Sequence, residues 1–308
     1  MYKRYIMNSV AESKKKGLLF AMVTASLWGV LPIALIGILS TIDPFTATFF
    51  RFIIAATILT PLLIHQNKLI NRHKLTNWKF LIQFGFAGFL LCINYALYIF
   101  GLDQTSAEAA QVMMQVAPIC LLLAGVFLFK ENFSYLQWFG VIIFVSGLLM
   151  FFSPKYDDVF LSFNKYGLGL ILLLGAALVW VCYAIFQKVL LREFSAQETM
   201  MIFYWIGAVF FFPISSFDEV SNLSTFQWSL ILFCGLNTLI AYGSFSEALT
   251  HIDASRVSAI LATTPLITLF CVQIVPKTIL NPEPLNFIVI LGALFVVTGS
   301  VITSTAKT

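Results

Sequence analysis

Long apolar stretches separated by short polar segments follow one another along the whole chain. A helix needs about 20 apolar residues to cross the roughly 30 Å of hydrocarbon in a bilayer, and charges, proline or asparagine mark the ends of such stretches. By these criteria the pattern predicts an all-α polytopic membrane protein with ten transmembrane helices and no inserted soluble domain. The predicted spans run near residues 17–39, 44–64, 80–101, 107–129, 135–152, 167–187, 198–217, 227–247, 255–275 and 285–304.

The composition strengthens this interpretation. Of the 308 residues, 60% are hydrophobic and only 10% are charged, whereas soluble domains contain roughly 25% charged residues. So few polar side chains cannot cover a folded globule in water, which excludes a soluble enzyme. The net charge of +4 does not indicate nucleic acid, because the basic residues lie in short loops rather than on one face. The lipid bilayer is therefore the expected surrounding of the chain.

The basic residues are divided unequally between the two sides of the predicted helices. Fourteen of the 18 lysines and arginines fall on the side that carries both termini, three fall on the other side, and Arg51 lies within a span. Positively charged loops stay in the cytoplasm. We therefore expect a multi-pass protein of the cell (inner) membrane with cytoplasmic N- and C-termini. The first span is too long for a signal peptide and is predicted to remain as a helix.

The two halves of the chain resemble each other. The same spacing of one acidic residue and two glycines occurs 152 residues apart, in Glu131, Gly140 and Gly147 and in Glu283, Gly292 and Gly299. Trp28 and Trp180 share this offset, whereas Gly88, Tyr95, Leu102, Ala107 and Pro118 match Gly235, Tyr242, Leu249, Ala254 and Pro265 at an offset of 147. Because each half has an odd number of helices, the second half crosses the membrane in the opposite sense, as in transporters with inverted repeats.

The repeat predicts the organisation of the chain. It gives a cytoplasmic tail (1–16), a first five-helix repeat (17–152), an external linker (153–166), a second, inverted repeat (167–304) and a short cytoplasmic tail (305–308).

These features resemble the EamA-type transporters of the drug/metabolite transporter superfamily over essentially the whole chain. The resemblance is carried by the ten helices in two repeats and by four short motifs: Leu27-Trp28-Gly29, Arg51-Phe52, Ala117-Pro118 and the tail beginning at Glu131 with its second copy at Glu283. It implies transport of a small organic solute without specifying which one. The chain departs from the family after Thr264-Pro265, where a long turn passes through Pro276, Pro282 and Pro284.

Polar residues inside the spans are the candidate binding residues, because a polar side chain in lipid either joins helices or lines a wet cavity. Glu108, Gln111 and Gln115 share one face of the fourth span. The repeat would bring aromatic and amide positions together around one central space. The predicted substrate-binding residues are Trp28, Asn94, Tyr95, Tyr98, Gln111, Gln115, Trp180, Tyr183 and Tyr242.

Four charged residues in or beside the spans are predicted to act as gates away from the substrate: Arg51 and Glu108 near the outer face, and Glu247 and Arg256 near the inner face. Two alternatives stay open at this point. Arg51 would otherwise bind a substrate carboxylate, and Glu247 or His251 would couple transport to protons. A purely structural ion pair is the simplest interpretation of each cluster.

Absent motifs narrow the function. The sequence contains no GxxxxGK[ST], no HExxH and no metal-ligand spacing, so no catalytic residue, metal or cofactor is expected. The leading hypothesis is a secondary transporter that moves a small organic metabolite, such as an amino acid, by alternating access. A membrane-embedded lipid-modifying transferase and a channel or scaffold remain as alternatives. A homodimer is compatible with the sequence.

Overall fold

The computed structural model describes residues 2–70, 76–120, 123, 134–157, 164–276, 280 and 285–306. Within these ranges the chain forms helices joined by short turns, and nine segments are long and apolar enough to cross a membrane. The helices are α1 (Tyr2–Leu39), α2 (Pro44–His65), α3 (Trp78–Asp103), α4 (Ala107–Met114), α5 (Tyr135–Phe152), α6 (Lys165–Leu190), α7 (Ala196–Phe211), α8 (Thr225–His251), α9 (Ala254–Leu261), α10 (Thr264–Ile274) and α11 (Phe287–Thr305). The chain is thus an all-α polytopic membrane protein, as the sequence predicts.

Some predicted features lie outside the described residues. The predicted fourth span, 107–129, contains α4 and is described only to residue 120 and at residue 123. Glu131, Glu283, Pro282 and Pro284 fall in segments that the structure does not describe. At the N-terminus, α1 begins at Tyr2, so residues predicted as a tail continue the first helix.

The repeat is visible in the residues that begin the helices. A helix start leaves backbone N–H groups without a partner, and a short polar side chain just before it accepts them. Asp43 precedes α2 and Ser195 precedes α7, 152 residues later. Three further pairs begin α3 and α8, α4 and α9, and α5 and α11: Asn77 and Ser224, Ser106 and Asp253, and Ser134 and Asn286. Of these residues, Asp253 alone makes no side-chain hydrogen bond to its helix. Matching positions therefore start four pairs of helices, whereas α1 and α6 begin 163 residues apart.

Each main contact between helices joins the two halves. α1 packs on α8, α3 on α6, α2 on α7 and α5 on α11. In the repeat, α1 corresponds to α6 and α3 to α8, so the α1–α8 and α3–α6 contacts are equivalent. α2 corresponds to α7 and α5 to α11, so each of the other two contacts joins a helix to its own repeat equivalent. The α5–α11 pair is antiparallel, because Gly140 faces Thr303 whereas Gly147 faces Val296. Two equivalent helices that run in opposite directions are what an inverted repeat requires.

Glycine makes the α5–α11 contact close. A methyl group added at Gly299 would lie 2.4 Å from the backbone nitrogen of Phe144, and one added at Gly147 would lie 2.5 Å from that of Val296. In lipid, where apolar side chains gain little by leaving the solvent, such close backbone contact drives helix association.

The ninth span is interrupted, which the sequence-based prediction of a continuous helix over 255–275 did not include. α9 ends at Leu261, the chain turns at Ala262 and Thr263, and α10 begins at Thr264 with Pro265 in its first turn. In the first half, α4 ends at Met114, 147 residues before Leu261, and Pro118 follows at the position of Pro265. Proline has no N–H and crowds the carbonyl four residues earlier, which breaks a helix.

Candidate functional site

A cavity of about 110 Å³ lies where the two halves meet, between α1, α2, α3, α4, α6, α8 and the α9–α10 junction. Its lining combines aromatic rings, amides and one cation with small apolar side chains. The lining residues are Trp28, Leu31, Arg51, Asn94, Tyr95, Tyr98, Gln111, Met114, Gln115, Ala117, Pro118, Trp180, Tyr242, Leu261 and Thr264. Both interrupted helices contribute the residues at their breaks.

The structure brings together eight of the nine residues predicted from sequence to bind substrate. The exception is Tyr183, which does not line the cavity. Its side chain is fully buried, its hydroxyl donates to the sulfur of Met200 at 3.7 Å, and its ring packs edge-on against Phe203. The Tyr183 side chain therefore faces α7, which does not line the cavity. Binding of substrate by the other eight stays a prediction.

Aromatic side chains form one wall of the cavity. The ring of Trp28 lies 5.2 Å from Tyr242 in an edge-on arrangement, and Tyr95 and Tyr242, which are repeat equivalents, lie 6.0 Å apart. The repeat-equivalent pair Trp28 and Trp180 both contact Phe245, at 5.5 and 6.0 Å. This wall offers several ring faces and edges to the apolar part of a solute or to a cation.

The three amides in the lining donate hydrogen bonds to backbone carbonyls of neighbouring helices. Gln111 donates to the carbonyl oxygen of Trp28 at 2.9 Å, and Asn94 donates to that of Ala176 at 2.8 Å. Gln115 donates to the carbonyl oxygen of Leu261 at 3.3 Å. In a continuous helix, the Leu261 carbonyl would accept from the backbone N–H of residue 265. That residue is proline, which has no N–H. The side-chain oxygen of Gln115 is buried and has no hydrogen-bond partner among the described residues.

Arg51 lines the cavity together with the predicted substrate-binding residues, whereas the sequence placed it apart from them. Its side chain is 3% exposed, its Nε donates to Thr238 Oγ1 at 3.2 Å, and its Cζ lies 4.5 Å from the centre of the Tyr95 ring. Depth counted along α2 placed Arg51 near one face of the membrane, but a long side chain reaches sideways toward the cavity.

The other predicted gate residues lie outside the cavity lining. Glu108 is buried in the first turn of α4, and Glu247 is half-buried near the end of α8. Arg256 forms an exposed ion pair with Asp253 at 3.7 Å rather than with Glu247. Asp253 lies only three residues away at the start of the same helix, which makes this local pair easy to form.

Contacts between the two halves lie near both ends of the molecule. At one end, Asp43 accepts a hydrogen bond from the Ser216 N–H at 3.4 Å, and the Thr46 hydroxyl donates to the Ser216 carbonyl at 2.8 Å. At the other end, Phe194, which precedes the Asp43 equivalent Ser195, packs edge-on against Phe80 and Phe84, at 5.1 and 5.0 Å. Both contacts join the first half to the second.

Sequence reasoning left six lining residues out of its predicted site: Leu31, Met114, Ala117, Pro118, Leu261 and Thr264. One signal could have found most of them. Pro118 and Pro265 match in the repeat, and equivalent prolines inside membrane helices indicate breaks near a binding site. The described residues contain no cluster of three or more His, Cys, Asp or Glu side chains able to hold a metal ion.

Comparisons with known proteins agree with this architecture. The EamA-like transporter family matches the chain twice, at residues 15–153 and 167–305. An uncharacterized transporter from Haemophilus influenzae is 35% identical over 94% of each chain, and the uncharacterized inner membrane transporter YhbE of Escherichia coli is 36% identical over 92% of this chain and 89% of its own length. A probable amino-acid metabolite efflux pump of Escherichia coli is 22% identical over 93% and 94%. A solved crystal structure shares the fold, with a TM-score of 0.66 at 14% identity over 94% and 97% of the chains.

Proposed function

Because the chain belongs to the EamA-like transporter family, we propose that it is a secondary transporter that moves a small organic metabolite, an amino acid or similar solute, by alternating access. We further propose that it works in the inner membrane with both termini in the cytoplasm. The name of the YhbE relative supports the membrane, and the unequal distribution of lysine and arginine supports the orientation.

The observation that carries this proposal is the position of the cavity. It lies at the junction of two inverted halves, beside helix breaks that occupy equivalent positions in both. Two halves related in this way can exchange their conformations, which moves the opening from one side of the membrane to the other while the site stays in place. An enzyme acting on lipid has no need for this arrangement.

The cavity lining favours a small solute with an apolar or aromatic part. Five aromatic side chains and three amides line it, which suits a solute that stacks on rings and exchanges hydrogen bonds with neutral groups. The relative named as a probable amino-acid metabolite efflux pump supports amino acids and their derivatives as the first solutes to test.

Gating is proposed to reside in contacts that join the two halves near each end. Opening one end requires the Asp43 and Thr46 contacts with Ser216 to separate, and opening the other requires Phe194 to leave Phe80 and Phe84. The gating roles of Glu108, Glu247 and Arg256 stay predictions from the sequence.

The test is flux through the purified protein. Liposomes that contain the protein are loaded with a mixture of amino acids and their derivatives, and the solutes that leave are identified by mass spectrometry against protein-free liposomes. We expect saturable loss of a few solutes and faster loss when the same solute is present outside, which is typical of a carrier. Loss of every small solute at the same rate would indicate a channel, and no loss would contradict the transport function.

A further inference from the structure

Arg51 places a positive charge inside the protein without an opposite charge beside it. Its Nη1 is buried and has no hydrogen-bond partner among the described residues. The ion pairs within the described part of the chain join Lys16 to Glu12 and Arg256 to Asp253, and neither involves Arg51. A buried cation is strongly unfavourable unless an anion and hydrogen bonds compensate it. From this geometry we infer that Arg51 binds the carboxylate group of the transported solute.

Neighbouring residues fix the guanidinium in place. Thr238 donates its hydroxyl proton to the Cys234 carbonyl at 2.9 Å, so its oxygen lone pair is free to accept from Arg51 Nε. The backbone at Thr238 is held in turn by the hydroxyl of Tyr204, which donates to the Thr238 carbonyl at 2.9 Å. The Tyr95 ring lies against the guanidinium. One edge of Arg51 is thereby anchored to the protein, and the residue lines the cavity without an anionic side chain of the described residues bound to its guanidinium group.

The rest of the lining selects the charge of that ligand. Among the described residues that line the cavity, Arg51 is the only one with a charged side chain. A single carboxylate neutralises it and matches the planar fork of a guanidinium. A phosphate monoester carries close to two charges at neutral pH, and no second cation in the lining would balance the remainder. The aromatic wall then receives the body of the solute.

The repeat shows that there is one such site rather than two. α2 and α7 begin 152 residues apart, and Phe203 in α7 therefore occupies the position that Arg51 has in α2. The inference rests on the proposed transport function and names its substrate class, namely organic monocarboxylates including amino acids. It is separable from transport, because binding of a carboxylate is measurable without flux.

The test compares each carboxylate with its primary amide, which has nearly the same shape and lacks the negative charge. The probes are L-phenylalanine, L-leucine, 3-phenylpropanoate and 4-methylpentanoate with their four amides, and phenyl phosphate. Binding to the purified full chain is followed by tryptophan fluorescence and by thermal stability. We expect at least one carboxylate to bind wild-type protein at least tenfold more tightly than its amide. Tighter binding of the two amino acids would identify amino acids as the substrate class. Tighter binding of the two acids without an amino group would identify simple organic acids.

Arg51→Gln should abolish the preference of carboxylate over amide, and Arg51→Lys should retain part of it. Without ligand, Arg51→Gln should melt at or above the wild-type temperature, since it removes an uncompensated buried charge. Thr238→Val provides a second route: it leaves Arg51 in the cavity without its anchor and should lower the preference several-fold.

Three results would overturn the inference. One is that the wild-type protein binds carboxylates and amides equally, or binds neither. Another is that it binds phenyl phosphate more tightly than the carboxylates. The last is that Arg51→Gln keeps the wild-type preference for carboxylates over amides. Flux in liposomes separates the two proposals. If amides move as readily as carboxylates, transport stands and the role of Arg51 fails. If carboxylates bind with the expected preference but nothing moves, the role of Arg51 stands and transport fails.

Discussion

At the scale of single residues, Gln115 has the most specific role in the cavity. Its amide nitrogen donates to the Leu261 carbonyl, which the proline at position 265 leaves without a helical partner, and its amide oxygen is buried without a partner among the described residues. One side chain therefore joins α4 to the break in the second half while its own acceptor stays buried beside the cavity.

We expect Gln115→Ala to lower the transport rate at least tenfold while the protein stays folded. The loss of one hydrogen bond costs about 1 kcal/mol of stability, and the Thr264 hydroxyl still donates to the Leu261 carbonyl. Solute flux into liposomes and thermal unfolding in detergent measure the two effects. The matched control is Gln273→Ala, which changes an exposed glutamine on α10 and should leave flux unchanged. Wild-type flux in Gln115→Ala would indicate that the amide only joins helices.

The sequence predicted most of the cavity because polar and aromatic residues are rare in membrane helices and must face something other than lipid. Tyr183 shows the limit of this argument. It lies three residues after Trp180 on an apolar helix, and the pattern alone did not indicate that its side chain turns toward Met200 and Phe203. Arg51 shows a second limit, since position along a helix gives depth but not the direction in which a long side chain extends.

At the scale of helices, the sequence predicted the spacing of the repeat but not the interruption of the ninth span. The offsets of 152 and 147 residues correctly matched the starts of α5 and α11 and of α4 and α9. The interruption of the ninth span was missed because hydropathy measures length and apolar character, both of which continue through Ala262 and Thr263. The local signal was Pro265, whose missing N–H ends the hydrogen-bond ladder.

The α5–α11 contact should not tolerate even a methyl group. Gly299→Ala would place a carbon 2.4 Å from the Phe144 backbone, and such overpacking costs about 1–3 kcal/mol. Thermal unfolding of the purified protein measures the loss. Gly85→Ala is the matched control, because nothing lies within 4 Å of the added carbon and alanine is the better helix former by about 0.5–1 kcal/mol. Similar unfolding temperatures for the two variants would contradict the close contact.

Restoring a continuous helix at the α9–α10 junction should slow transport. Pro265→Ala supplies an N–H that can donate to the Leu261 carbonyl, so the break stiffens and Gln115 loses its role. We expect a several-fold lower flux from protein that folds normally. Pro61→Ala, at an exposed position within α2, is the control and should transport like wild type. Undiminished flux in Pro265→Ala would show that the break is not needed for the cycle.

At the scale of the whole molecule, the starts of α2 and α7 are equivalent in the repeat but make different contacts. Asp43 begins α2 and also bonds to Ser216 in the other half, whereas Ser195, its repeat equivalent, caps only its own helix, α7. Only the residue that begins α2 therefore joins the two halves in addition to capping its helix.

Asp43→Ala should therefore favour the conformation that is open at its own end. Both Asp43→Ala and Ser195→Ala lose a helix cap worth about 1 kcal/mol, but only the first removes a contact between the halves. The measurement is the rate at which a membrane-impermeant reagent, added from the Asp43 side, labels Ala117→Cys in a chain whose five native cysteines are replaced. We expect several-fold faster labelling in Asp43→Ala and no change in Ser195→Ala. Equal rates in both variants would contradict the role of this contact.

The single charge in the cavity lining has a consequence for energetics. If Arg51 binds the carboxylate as inferred, a solute with no other charge makes the loaded site neutral, and the empty site carries the charge of Arg51. The membrane potential falls across whichever end is closed, and moving one charge through 100 mV changes its energy by about 2.3 kcal/mol. Voltage therefore acts on the return of the empty carrier and not on the loaded step. A negative cell interior draws the empty, positive site toward the cytoplasm, where it loads again, so for such an anionic solute we expect the resting potential to favour export over uptake.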